Sequence, residues 1–171
     1  MNTKKMRYVW FLVILCIFCL TLFLARTRSK VEMRNRIYHQ WNEHFVVSKG
    51  KESYVRTTND SNQTVVLSEA QSYGMLITVA AAKKGQAQQA DFDRLYHYYL
   101  NHRLEGTQLM SWKQTIRNGK AKDEDHNATD GDLYIAYALL KAAQQWPKQA
   151  KDYQAQAKAI LEDILAHNYN E

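Results

Sequence analysis

The chain has 171 residues, 46% of them hydrophobic, with one proline and six glycines. That composition excludes collagen-like, disordered and disulfide-rich classes and leaves room for a single mostly helical domain. Its formal charge of +6 does not describe a nucleic-acid-binding face, because Lys4, Lys5, Arg7, Arg26, Arg28 and Lys30 flank one apolar run and the other 17 cations balance all 17 acids within residues 31–171.

Tyr8 to Ala25 reads YVWFLVILCIFCLTLFLA, 18 positions without a charge. As a helix it spans about 27 Å against a hydrocarbon core of roughly 30 Å, just enough to cross a membrane. Its exit, Phe23-Leu24-Ala25, lacks the small-x-small pair of a cleavage site, so residues 1–30 are expected to form an uncleaved anchor, with secretion following if cleavage occurs. Cations on both sides leave the orientation undetermined by charge. Cys16 and Cys19 both lie in this run, so residues 31–171 have no thiol for a disulfide, a zinc site or nucleophilic catalysis. Leu15 and Phe18 stand where lipidation would need a small residue.

Beyond the anchor, Met33, Ile37, Trp41 and Phe45 recur every four residues on one helical face, and the polar stretch 48–63 then reads as a loop. Ser68 is the expected N-cap of a second helix that ends at Lys83-Lys84-Gly85. Phe92, Leu95, Tyr96, Tyr99 and Leu100 give a third helix, and residues 103–128, without a sustained period, read as a long functional loop. Thr129 is the expected cap of a fourth helix that Pro147 stops, and Tyr153 to Leu165 carries a fifth apolar stripe. No strand-type alternation of useful length stands out, so the expected class is all-α, built from antiparallel helix pairs.

Two acidic sites lie at helix entrances, Ser68-Glu69 and Thr129-Asp130-Gly131-Asp132. An acid in a first turn also suits the helix dipole by roughly 0.3–1 kcal/mol, so a merely structural role for each stays open. A calcium loop fails on register: with Gly131 as the sixth residue, His126 falls at the first ligand position, Ala128 at the third and Tyr137 at the twelfth. The histidines lack ligand spacing, His97 and His102 being five apart, so no metal is expected.

The runs SEAQSYGMLITVAA, FDRLYHYYLNHRL, LMSWK and ATDGDLYIAYALLKAAQQW, in that order, resemble the catalytic domain of glycoside hydrolase family 8, the cellulase D family. Ala70 replaces the usual Gly of the first run. The resemblance covers roughly residues 33–171 and only the N-terminal half of the family's domain. It implies about half of an (α/α)6 barrel, a six-hairpin glycosidase fold, in residues 31–171 behind the transmembrane helix. It also implies inverting hydrolysis of a β-1,4-linked polysaccharide or oligosaccharide such as glucan, xylan or chitosan, with no cofactor. Carried over by position, Glu69 becomes the general acid and Asp130 holds the sugar ring at the cleavage point, with Tyr73, Trp112 and Asp132 as substrate contacts. A polysaccharide substrate places the domain on the extracellular face of the cell membrane.

The chemistry asks for these residue types on its own terms. A glycosidic oxygen is a poor leaving group, so the acid must keep its proton near neutral pH, and burial or a like-charged neighbour achieves that. Glu69, beside a Tyr and under a helical core, is expected to meet that condition. Aromatic rings cover the apolar faces of sugars, a role for Trp112 in the long loop, whereas Trp41 and Trp146 on regular stripes are expected in the core. Inversion needs a second carboxylate about 6.5–9.5 Å from the acid. In the family that base lies in the second half; here Asp132, Asp152, Glu162, Asp163 and Glu171 match no such motif. The chain is thus expected to be inactive alone. The rival expectation is a non-catalytic, membrane-tethered helical module that binds glycan or a partner protein, separable by whether coding sequence downstream continues into the rest of the barrel.

Overall fold

The computed structural model describes residues 3–58, 60 and 62–167, so Glu171 lies outside them. The chain divides into two compact units, Met1–Gln40 and Trp41–Glu171. Helix α1 runs unbroken over Thr3–Phe45, joining the apolar run to the stripe that begins at Met33. Neither Gly nor Pro occurs in that span, and Arg, Lys and Glu between the two segments are good helix formers. By length and composition α1 can cross a membrane, with a mean hydropathy of 2.7 over its most apolar 18-residue window. Of the four-residue stripe, Met33, Ile37 and Phe45 are exposed and Trp41 alone packs against the core of the second unit.

The second unit is mostly helical but not all-α. The expected loop at 48–63 holds a hairpin, β1 (Val46–Lys49) against β2 (Glu52–Val55), turning at Gly50 with φ +60°. The expected loop at 103–128 holds β4 (Lys113–Arg117) and β5 (Lys120–Asp123), and with β3 (Thr64–Leu67) they form an antiparallel sheet in the order β3-β4-β5. Strands of four or five residues are too short for their alternation to register against a helical background. The turn between β4 and β5 was nevertheless written in the sequence as Asn118-Gly119, both at positive φ (50° and 74°), the pairing that two-residue hairpins favour.

Helices α2 (Ser68–Ala82), α3 (Gln89–Asn101), α4 (Thr129–Gln145) and α5 (Ala150–His167) make the body, with a 3-10 turn at Pro147–Gln149 between the last two. Helices α2 and α4 lie side by side, each followed by a helix that returns beside it, α3 after α2 and α5 after α4. Met75, Phe92, Leu95, Tyr99, Ile135, Leu139 and Ile160 fill the space between these two hairpins. Trp41 and Trp146 pack partly buried against this core, Trp146 together with the apolar stripe of α4 and Trp41 without the rest of its own stripe, which is exposed. Gln71 pins the layers together from a fully buried position. Its Oε1 accepts the Val55 N–H (2.9 Å), and its Nε2 donates to the carbonyls of Ser53 (3.0 Å) and Leu95 (2.9 Å). One side chain on α2 thereby pairs buried backbone groups of β2 and ties that strand to the Leu95 carbonyl of α3.

Candidate active site

The starts of α2 and α4 meet. A Cβ on Gly131 would lie 2.2 Å from Ser68 Oγ, 2.8 Å from Ser68 Cβ and 3.1 Å from the Glu69 nitrogen, so only glycine permits this approach of two helix entrances. Gly131→Ala is expected to cost roughly 1–3 kcal/mol of stability as the entrances are forced apart. Urea denaturation should show that loss and its partial recovery in Gly131→Ala with Ser68→Gly; an unchanged midpoint in Gly131→Ala would remove the close-approach account.

Ser68 and Thr129 were expected as caps, but each is the first residue of its helix, and Leu67 and Ala128 take the cap positions without a side-chain cap bond. The reason lies in the junction. Strand β3 runs straight into α2, the Ser68 N–H donates to the Trp112 carbonyl (2.9 Å), and the Ser68 hydroxyl is buried against Gly131.

Because α2 and α4 start together, their sequences fall in register. Glu69 is followed four residues later by Tyr73, and Asp130 four residues later by Tyr134. Residues so spaced share a helix face. The two tyrosine rings meet with centroids 5.1 Å apart and 47° between planes, and both are partly exposed. Glu69 and Asp130 are also exposed, so the expectation of Glu69 under a helical core is corrected: its face beside α4 is open in this chain. The Tyr73 hydroxyl is pushed above the ordinary phenol range, first by desolvation, then by its hydrogen bond with Tyr134 and by the carboxylate of Glu69. Asp130 turns its Oδ1 back to accept the Gly131 N–H at 2.8 Å. Tyr134 was missed in the sequence, although the repeated acid-x-x-x-Tyr spacing at two helix starts could have signalled it.

Trp112, expected as a sugar-covering ring in a long loop, is half-buried beside the sheet, its ring stacked on His126 (centroids 5.6 Å, 27°) with Lys113 Nζ 5.5 Å from its centroid. Asp132, expected among the substrate contacts, has no exposed surface. Its Oδ1 accepts the Met110 N–H (2.8 Å) and its Oδ2 accepts from Asn127 Nδ2 (2.7 Å), so both oxygens point inward. The structure therefore brings Glu69, Tyr73 and Asp130 to one open face and sets Asp132 behind it. Among the described residues, no three His, Cys, Asp or Glu side chains group so as to hold a metal.

Burial, opposed by those two hydrogen bonds, raises the Asp132 carboxyl from 3.8 to about 6. The folded state then holds this proton more tightly than the unfolded chain. The stability contributed is fully present below 3.8 and is lost as pH rises through about 6. Asp132→Asn, which cannot ionise, should therefore gain stability relative to the native chain between pH 4 and 7, by up to about 3 kcal/mol. Parallel curves of urea midpoint against pH for the two proteins would contradict this.

The sequence matches the profile of glycosyl hydrolases family 8 over residues 12–170. It is 35% identical over 136 residues to a beta-glucanase of Niallia circulans, covering 78% of this chain and 32% of that one. A reducing-end xylose-releasing exo-oligoxylanase of Paenibacillus barcinonensis, Rex8A, is 30% identical over 145 residues, covering 78% and 37%. Among solved structures, the apo beta-1,3-1,4-glucanase from Paenibacillus sp. X4 superposes with a TM-score of 0.67 at 30% identity, over 83% of this chain and 38% of that chain. The chain thus spans about a third of the length of the curated relatives it matches.

Proposed function

This chain belongs to glycosyl hydrolase family 8, and from that premise we propose that the joined starts of α2 and α4 are the acid-bearing part of an inverting glycosidase site for a β-linked polysaccharide. The two helical hairpins are read as part of an (α/α)6 barrel, with α2 and α4 as inner helices and α3 and α5 outside them. The observation that carries the reading is the in-register pair Glu69/Tyr73 and Asp130/Tyr134 on one open face. In this reading Glu69 protonates the leaving oxygen and Asp130 holds the sugar ring. Tyr73, with Tyr134 beside it, offers a ring face to the sugar, and Trp112 borders the cleft from the sheet side.

The test joins the chain to the remaining length of a family relative and follows hydrolysis of carboxymethylcellulose, lichenan, xylan and chitosan. Reducing ends should be released from at least one polymer, and proton NMR of a defined oligosaccharide should show the α-anomer first, since inversion at a β-linkage yields it. Initial release of the β-anomer would reject inversion, and no release from any polymer would reject the reading.

Residues 1–30 are proposed to anchor the domain in the cell membrane with residues 31–171 on the extracellular face, or to direct secretion if they are cleaved. The apolar run of α1 supports the anchor by length and composition. The expressed chain should stay in the membrane pellet through a high-salt wash. Recovery in the soluble fraction, with residues 1–30 still attached, would reject the anchor.

A further inference from the structure

We propose that Asp132 is a positioning residue, fixing the strap of residues 109–112 from within α4 and, through that strap, setting Trp112 and the start of α2 at Glu69. From its buried seat in the first turn of α4, Asp132 accepts the N–H of Met110, itself fully buried. The next residue, Ser111, donates its N–H to the His102 carbonyl at the end of α3 (2.9 Å). Trp112 then faces both ways: its N–H donates to the His126 carbonyl (2.9 Å) and its carbonyl accepts the Ser68 N–H (2.9 Å), one residue before Glu69. The second oxygen of Asp132 holds Asn127, next to the His126 on which the Trp112 ring stacks. One carboxylate thus ties together the strap below Trp112 and the loop against its ring. Asp132 is the buried side chain of the first turn of α4, Thr129 and Asp130 being exposed and Gly131 having none.

Burial disfavours the charge on Asp132 and holds its proton more tightly than in water. Met110 and Asn127 offset that cost with donors to the ionised form. Losing or gaining the proton therefore changes the acceptor beneath the strap, and Trp112 and Ser68 should sense it. The titratable and charged groups facing this region are Asp130 on α4, Tyr99 on α3, His126 and Lys113 against the Trp112 ring, and His102, paired with Asp123 at 2.8 Å. The catalytic purpose of the brace rests on the reading of Glu69 above, but the brace itself can be tested without turnover.

The test is nitrogen-15 NMR and amide exchange on the chain itself between pH 4.5 and 7.5. In the native protein the Met110 amide should be protected, and the Trp112 indole and Ser68 amide resonances should titrate together with a midpoint near 6. Asp132→Ala should cut Met110 protection at least about tenfold and move both resonances, because the acceptor is gone. Asp132→Asn should restore protection to within about threefold while abolishing the common titration, since an amide accepts but does not ionise. His126→Gln separates the ring's own neighbour from the brace, and the titration should persist in it. A folded Asp132→Ala with Trp112 and Ser68 resonances at native positions overturns the proposal. If Asp132→Ala fails to fold, a titration that survives in Asp132→Asn or vanishes in His126→Gln overturns it instead. A failed hydrolysis assay with this NMR behaviour intact would count against Glu69 as acid and leave the brace standing.

Discussion

Glu69→Gln, in a chain joined to the remaining length of a family relative, lowers turnover on polysaccharide by about 10² to 10⁴ while glycan binding survives. Glutamine keeps the shape and the hydrogen bonding of Glu69 and removes only the transferable proton. Asp130→Asn is expected to weaken binding and turnover together, because in the proposed reading it holds the ring rather than moves a proton. The neighbourhood supports this division. Glu69 stands one turn above the Tyr73 hydroxyl on α2, whereas Asp130 is fixed by its own Gly131 N–H at the start of α4. Glu69 is exposed in this chain, and a carboxyl that must keep its proton gains from burial or from nearby negative charge. Further helices packed over Tyr73 and Tyr134 would supply the burial, and Asp130 on the adjoining helix start the charge. Full activity in Glu69→Gln would make Glu69 a helix-start residue and place the acid elsewhere.

The 171-residue chain by itself is expected to release no reducing ends above background from carboxymethylcellulose, lichenan or chitosan. Two separate causes lead there. The first is chemical: inversion needs a base about 6.5–9.5 Å from the acid. Of the acids around the helix starts, Asp132 has both oxygens engaged inside the fold and Asp125 is turned to its neighbour His126. The second is packing. Leu133, Tyr137 and Leu140 on α4, Leu161 and Leu165 on α5, and Ile77 on α2 are all exposed. At about 25 cal/mol per Å², a few hundred Å² of unburied apolar surface amounts to several kcal/mol, comparable to a domain's whole stability of about 5–15 kcal/mol. The purified chain should therefore unfold at lower urea than the joined enzyme and, at raised concentration, aggregate or pair with another chain through these faces. Sustained turnover that disappears in Glu69→Gln would contradict this and direct the search for a base to Asp125, Asp130 and Asp132. Tight glycan binding without turnover, even after joining to a relative, would instead favour a tethered binding module.

The helices were legible because their apolar residues repeat over three or more turns, and Gly85 and Pro147 mark stops that the structure keeps. The strands were not, because pairs such as β1 and β2 are set by partners rather than by their own pattern. The caps moved for a related reason: Ser68 gives its N–H to Trp112, a contact 44 positions away that no local signal encodes. At the candidate site, Glu69, Tyr73 and Asp130 could be placed on helix faces by counting, and they reach one open face. The depth of each could not be counted. Asp132 lies two residues after the exposed Asp130 yet is wholly buried, because a two-residue step turns a helix through about 200°. Glycine between two acids in a first turn, where its helix propensity is poor, was the one local sign that the two helix starts touch.

The most direct measurement of the central claim compares two leaving groups on the joined enzyme and its Glu69→Gln variant. A 2,4-dinitrophenolate departs without needing a proton, whereas a sugar alkoxide does not. If Glu69 is the general acid, Glu69→Gln should hydrolyse 2,4-dinitrophenyl β-cellobioside within about tenfold of the native rate and polysaccharide about 10² to 10⁴ more slowly. Equal losses on both substrates, or no loss on either, would contradict the assignment of Glu69.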